Sequence, residues 1–453
     1  MSVQESQIGE ASAEAEQLLA RLIRFNTVNP PGDERAAQAF LAEHLAAAGF
    51  DCELLGAVPG RPNLVARLRP EGSASTGDSG GDGVGPRLCF LGHVDTVLAD
   101  AEEWTHDPWS GDLADGFLWG RGALDMKSQV AAEVAAAASL ARSGWRPSHG
   151  ELLVVTVVDE ETGGSLGAQW LTANHPEKVR CEMLINEGGG ACFEYQGRRL
   201  YGVCCAEKGV FRFTVTTDGV AGHASMPGMG ENALLKMAPV LEKLGARQPS
   251  YQLTDAPRQF LQGLGEDPED PAGSVARLRA ADPRLATMFE PMLGVTFTPT
   301  RIRASEKVNV IPSRAELKID CRVPPGLGER EVREGIAEVL GEEAGAPWRI
   351  EFTERVPGNG SPIESQLMDA VSSWMTERDP GAQVVPVVLP GFTDSRHFRE
   401  AFPECVAYGF FPHRHQPLVQ TAPLIHGADE RIDVRDLAFA SEHYRDLARR
   451  ILG

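Results

Sequence analysis

Five short, almost wholly apolar runs constrain this chain most. They are Leu88–Leu91, Leu152–Val158, Met183–Asn186, Val384–Leu389 and Val406–Phe410. Continuous apolar strands belong inside a sheet that is covered on both faces. The segments between them carry helical spacing, notably Ser12–Phe25, Glu34–Gly49, the Ala-rich Met126–Arg142 and the closing Val434–Leu452. Strands alternating with helices predict an α/β fold.

That pattern is interrupted. From Lys208 the strands alternate in polarity, as in Phe211–Val215 and Arg314–Arg322, and Trp348–Thr353 reads as one more strand. Helices are expected at Asn232–Leu244 and Glu329–Leu340. Alternating strands are half-exposed and favour antiparallel pairing, so an α+β domain is expected here. Between its halves Gln248–Pro291 is polar, has no strand signal and reads as a helical insertion. The α/β pattern returns after Pro357. The expected organisation is therefore a first domain built from residues 1–207 and 357–453, with a second, 208–356, inserted in it. Pro70–Pro86, dominated by Gly, Ser and Asp, reads as a mobile surface loop.

Charge and composition exclude several functions. The net charge of −21 opposes binding to nucleic acid or to an anionic membrane surface. No apolar run approaches the roughly 18 residues that suggest a membrane span. Residues 1–16 are polar and acidic, unlike a signal peptide. The eight cysteines are scattered and form no CxxC, which suits reduced, mostly buried thiols and a cytoplasmic setting.

The chemistry gathers where strands end. The first run leads into Gly92-His93-Val94-Asp95, and ligands bind beyond the carboxyl ends of strands in such sheets. A Gly-rich loop, Gly120-Arg121-Gly122-Ala123-Leu124-Asp125, enters the Ala-rich helix. Taken alone, Asp125 would be an N-cap. The run Leu152–Val158 ends in Asp159-Glu160-Glu161, and Met183–Asn186 ends in Glu187 followed by three glycines. Consecutive acids at the end of a buried strand need compensation from solvent or from a metal. A late Ile425-His426-Gly427 supplies another imidazole. Two His and three carboxylates suit two divalent ions, with zinc favoured and cobalt or manganese as alternatives. His413 and His415 form a competing HxH pair, set aside because they follow Pro412 in an expected loop.

The ordered motifs GHVDTV, GRGALDMKS, DEETGG, NEGGG, GHASMP, KVNVIP and IHGADE resemble those of the M20 family of metallopeptidases, from about Thr27 to the C-terminal helix. The family includes deacetylases, desuccinylases, aminoacylases and carboxypeptidases. The resemblance implies a zinc-peptidase-like catalytic domain with a mixed sheet flanked by helices, and an inserted α+β lid. It implies metal ligands His93, Asp125, Glu161, Glu187 and His426, with Asp125 bridging and followed by a cis peptide bond. On this reading His93 and Glu187 serve different ions, and Glu161 joins His93 or His426. Glu160 becomes the general base and acid, and Asp95 the carboxylate behind His93. His223 becomes the lid histidine that reaches the substrate carbonyl, and Asn309 a lid residue near the substrate. Gly391 and Thr393 lie in a loop resembling the family's Gly-x-(Ser/Thr)-Asp at the substrate end of the site. Arg322 is the candidate clamp for a substrate carboxylate. The expected reaction is hydrolysis of an amide bond in a peptide or N-acyl amino acid bearing a free carboxylate, by a chain that pairs with its copy through the lid. A serine esterase is excluded by the missing GxSxG elbow. A non-catalytic, small-molecule-binding member of the same fold is the alternative.

Overall fold

The computed structural model describes residues 3–71 and 85–453. Most of the expected Pro70–Pro86 loop lies outside the described residues. The chain divides into two compact units. The first comprises residues 1–205, 361–387 and 393–453, the second 206–360 together with 388–392.

The first unit is built on a mixed sheet. Its centre is four parallel strands in the order Glu151–Val157, Arg87–His93, Met183–Asn186 and Val406–Gly409. Antiparallel strands extend it on both sides. Asn63–Leu68 and Asp51–Leu55 flank Glu151–Val157, and Arg198–Glu207 lies beyond Val406–Gly409. The hairpin partner Cys192–Tyr195 was not evident from sequence. Its long mate Arg198–Glu207 is buried from Leu200 onward on both faces, so no alternation announces it.

Helices cover both faces of the sheet. Cys89 and Leu91 share a core with Leu153, Val155 and Val157, packed under Ala168, Leu171 and Phe398. Phe90 points the other way and meets Tyr444 edge-on at 5.2 Å between ring centroids. On that face Lys127–Arg142 packs against both Val3–Ile23 and Val434–Leu452. Every residue from Lys127 to Ala141 is buried, which explains the alanines: only small side chains allow this close approach on all sides.

One buried histidine carries a stability consequence. His443 on the closing helix lies among Trp374, Phe410 and Tyr444, and neither ring nitrogen has a hydrogen-bond partner. Burial pushes its pKa down to about 3. The unfolded chain therefore binds a proton below about pH 6.5 that the folded chain refuses. Its contribution is present above that pH and is lost as pH falls toward 3. By pH 5 the loss is about 2 kcal/mol. His443→Phe is expected to flatten the fall in stability between pH 7 and pH 5 in urea unfolding. An unchanged slope would refute this.

The second unit is an antiparallel sheet in the order Gly209–Val210, Arg314–Val323, Phe213–Asp218, Trp348–Phe352, with Thr296–Arg303 also paired to Arg314–Val323. Alternate residues Ala315, Leu317, Ile319, Cys321 and Val323 are buried, as the sequence pattern requires. Helices Ala233–Gly245 and Glu329–Leu340 contribute Met237, Val240, Val332 and Ile336 to the same core. The segment expected to be helical contains Asp255–Leu264, Pro271–Ala281 and Pro283–Phe289, with Phe260 against Phe289 at 4.7 Å.

All eight cysteines are free, and seven are buried. Among the described residues no helix is long and apolar enough to cross a membrane.

Candidate metal centre

The strand order determines which side chains meet. His93 ends one central strand, and Glu187 follows the parallel strand beside it. His93 Nε2 lies 3.7 Å from Glu187 Oε1 and 3.1 Å from Asp125 Oδ1. On the other side of Asp125, Oδ2 is 3.0 Å from His426 Nε2, which is 3.3 Å from Glu161 Oε2. Two clusters result, His93–Asp125–Glu187 and Asp125–Glu161–His426, each with donor atoms within 4.8 Å of one another. Asp125 belongs to both. The expectation that His93 and Glu187 serve different ions fails on this geometry, because they share a cluster. Glu161 groups with His426.

The supporting contacts are specific. His93 Nδ1 faces the backbone carbonyl of Asp95 at 3.0 Å, with the Asp95 carboxylate at 3.5 Å. That carboxylate mainly holds the next turn, accepting from the backbone N–H of Glu160 and of Glu161, each at 3.2 Å. Val97 N–H donates to Glu161 Oε1 at 3.2 Å. The Asp125–Met126 peptide is cis. His426 adopts a left-handed backbone with φ 60° and its side chain is half exposed. Gly164, just past the acidic turn, has φ +72°, and a Cβ there would stand 2.5 Å from Asp394 Oδ1. Only glycine fits that approach.

The site's charges interact strongly. Burial and the neighbouring Glu187 charge push the Glu160 carboxyl well above its usual range. Burial and the Asp125 charge do the same to Glu187. Burial opposes charge on His93, yet its hydrogen bonds to Asp125 and Asp95 outweigh this and raise its pKa. Hydrogen bonds to Asp125 and Glu161 push His426 up to about 10. Crowded carboxylates around two imidazoles fit divalent cations in number, type and convergence. Glu160 belongs to neither cluster, although it shares the turn with Glu161.

In the second unit His223 and Asn309 are exposed, on or beside a two-stranded ribbon in which His223 pairs with Val310. His223 Nδ1 accepts from Ser225 N–H at 3.2 Å and lies 2.7 Å from the Ser225 hydroxyl. Arg322 is partly neutralised: its Nε donates to Asp320 Oδ1 at 2.7 Å, and the guanidinium lies over Phe392 at 5.8 Å. Gly391 belongs to the second unit. Thr393 is buried in the first and accepts from Ser395 N–H at 3.2 Å. The HxH pair separates, with His413 buried and His415 exposed, and neither joins a metal-capable group among the described residues.

Sequence reading missed Glu430. It is fully buried and accepts from the backbone N–H of Gly122, Leu124 and Asp125 at 3.1, 2.6 and 3.0 Å, and from Arg121 Nη1 at 2.5 Å. Arg121 Nη2 also reaches the Gly427 carbonyl at 3.0 Å. This pair staples the loop carrying Asp125 to the loop carrying His426. Its only sequence signal was its place in IHGADE. Glu430→Ala leaves Arg121 buried without its carboxylate, and a loss of about 3–5 kcal/mol is expected by chemical denaturation. A loss under about 1 kcal/mol, the range of an exposed pair, would contradict the staple.

Comparison with known proteins supplies the lineage. The sequence profile of peptidase family M20/M25/M40 matches residues 89–450. The chain is 28% identical over 445 residues to a succinyl-diaminopimelate desuccinylase of Paracoccus denitrificans, covering 96% of this chain and 97% of that protein. Its fold resembles that of an M20 family metallo-carboxypeptidase from Sulfolobus solfataricus, with TM-score 0.69, 17% identity and coverage of 97% and 99% of the two chains. It also resembles human carnosine dipeptidase 1, with TM-score 0.67, 15% identity and coverage of 100% and 99%. With the profile spanning most of its length, the chain belongs to peptidase family M20/M25/M40.

Proposed function

We propose that this chain is a two-ion amide hydrolase acting on a peptide or an N-acyl amino acid that bears a free carboxylate. One observation carries the reading: two His–carboxylate clusters share Asp125, and a half-buried acid, Glu160, stands beside them unused by either. A binding protein has no need of that extra acid.

His93, Asp125 and Glu187 would hold one ion, and Asp125, Glu161 and His426 the other, zinc being the favoured metal and cobalt or manganese the alternatives. When bound, the ions polarise the amide carbonyl and lower the pKa of the attacking water. Glu160 takes the proton as water adds to the carbonyl carbon. It then delivers that proton to the amide nitrogen as the C–N bond breaks, yielding a carboxylate and an amine. His223 donates through Nε2–H to the developing oxyanion. Asn309, Arg322, Gly391 and Thr393 are assigned to the substrate, with Arg322 facing its carboxylate. Residues 208–356 act as the lid, the chain pairs with a copy of itself through them, and the protein works in the cytoplasm.

The test is a substrate panel. Protein stripped with chelator is assayed for amine release from dipeptides, N-acetyl amino acids and N-succinyl amino acids, before and after zinc is restored. Release that depends on zinc and is confined to substrates with a free carboxylate supports the reading. Release that survives chelation, or that is equal on carboxamide analogues, contradicts it.

A further inference from the structure

We infer that Asn29 is a positioning residue for Glu160, acting as a neutral bridge between the two buried carboxylates that hold the Glu160–Glu161 turn. This rests on the reading of Glu160 as the proton-transfer group.

The turn is suspended from two acids. Asp95 accepts from the backbone N–H of Glu160 and Glu161. Asp159, in a left-handed conformation with φ 73°, precedes the turn and accepts from the Thr162 hydroxyl at 2.7 Å, the Ser165 hydroxyl at 2.9 Å and Leu166 N–H at 3.0 Å. Asp95 and Asp159 are both buried, and two carboxylates so placed repel one another. Asn29 Nδ2 lies between them, 2.9 Å from Asp95 Oδ2 and 3.2 Å from Asp159 Oδ1, and also 3.2 Å from Thr162 Oγ1. Arg61 supplies the nearest charge compensation, with Nη1 3.1 Å from Asp159 Oδ1. Its Nε and Nη2, however, are committed to Glu34, so it cannot serve both acids. The Asn29 amide is the direct tie from Asp95 to Asp159.

The backbone around Asn29 is fixed without its side chain. Asn29 N–H donates to the Thr96 carbonyl at 2.9 Å, Thr96 N–H to the Thr27 carbonyl at 3.0 Å, and Thr27 Oγ1 to the Val94 carbonyl at 2.6 Å. Truncation to Ala therefore removes the bridge and leaves the segment paired. The ligands are less exposed to the change, because Glu161 keeps its tie to Val97 N–H. What shifts is the direction of Glu160. Catalytic groups lose rate steeply when misplaced by even an ångström.

The experiment measures Asn29→Ala, Asn29→Asp and Asn29→Ser in zinc-loaded protein, with Glu160→Gln as control. Steady-state kinetics, zinc content and Tm are taken on each. Asn29→Ala should lose about 30-fold or more in kcat, with KM within threefold, two zinc ions retained and a cooperative melt, in keeping with the 10²-fold scale of small misplacements. Asn29→Asp, which keeps the shape but adds a third carboxylate, should fall at least as far. Asn29→Ser keeps a polar group but is too short to reach both Asp95 and Asp159, and should lose as much kcat as Asn29→Ala. A kcat within threefold of wild type in Asn29→Ala, or in Asn29→Ser, overturns the inference. If Asn29→Ala does not fold, Asn29→Ser decides: a folded Asn29→Ser with kcat within threefold of wild type overturns it. Turnover that persists in Glu160→Gln would instead defeat the proton-transfer reading itself.

Discussion

Glu160→Gln is expected to reduce kcat by about 10²- to 10⁴-fold, the range for a lost general acid–base group. The substitution keeps size and burial but removes the proton acceptor. Because Glu160 lies in neither ligand cluster, zinc content should stay at two per chain and KM should change little. A kcat loss with intact metal assigns the chemistry to this side chain. An equal loss of metal would make Glu160 a ligand, and unchanged kcat would remove it from the reaction.

Asp125→Ala is expected to have the other large effect, on metal binding. Its two oxygens face the two clusters, Oδ1 toward His93 at 3.1 Å and Oδ2 toward His426 at 3.0 Å. Removing it takes a ligand from both. Affinity should fall for both ions by well over the roughly 100-fold upper figure for an outer-sphere partner. His426→Ala removes a ligand from one cluster only, and should leave one tight ion. Zinc titrations of the two variants distinguish the cases. If Asp125→Ala still held one ion as tightly as wild type, the carboxylate would not be shared.

The strands were legible because they are chemically unambiguous. A run such as Leu152–Val158 can only be buried, so the acids that follow it must lie at a strand end. The strand Met183–Asn186 and the helix Val434–Leu452 fall where the apolar spacing put them. Neighbour relations were less legible. His93 and Glu187 share a cluster because their strands run side by side, an order that depends on the whole sheet and not on either segment. The supports were least legible of all. Asn29 reaches Asp159 across 130 positions, and Arg121 reaches Glu430 across 309. In sequence one reads as part of an Asn-Pro-Pro-Gly turn and the other as a loop arginine. No local pattern predicts that each meets a carboxylate whose other contacts hold the turn after Asp159 or the loop of Asp125.

The shared Asp125 also explains why the clusters should act as one site. An ion in either cluster relieves the repulsion felt by the carboxylates of the other, since Glu160 and Glu187 are both raised by their charged neighbours as well as by burial.

The most direct test of the two-ion account is to follow zinc content and turnover on the same sample. Protein stripped with chelator is titrated with zinc, and bound metal is read by mass spectrometry of the dialysed protein while amine release is assayed at each step. The account predicts two ions per chain at saturation and turnover that rises with their binding. A single ion at saturation, or full turnover with none, would contradict it.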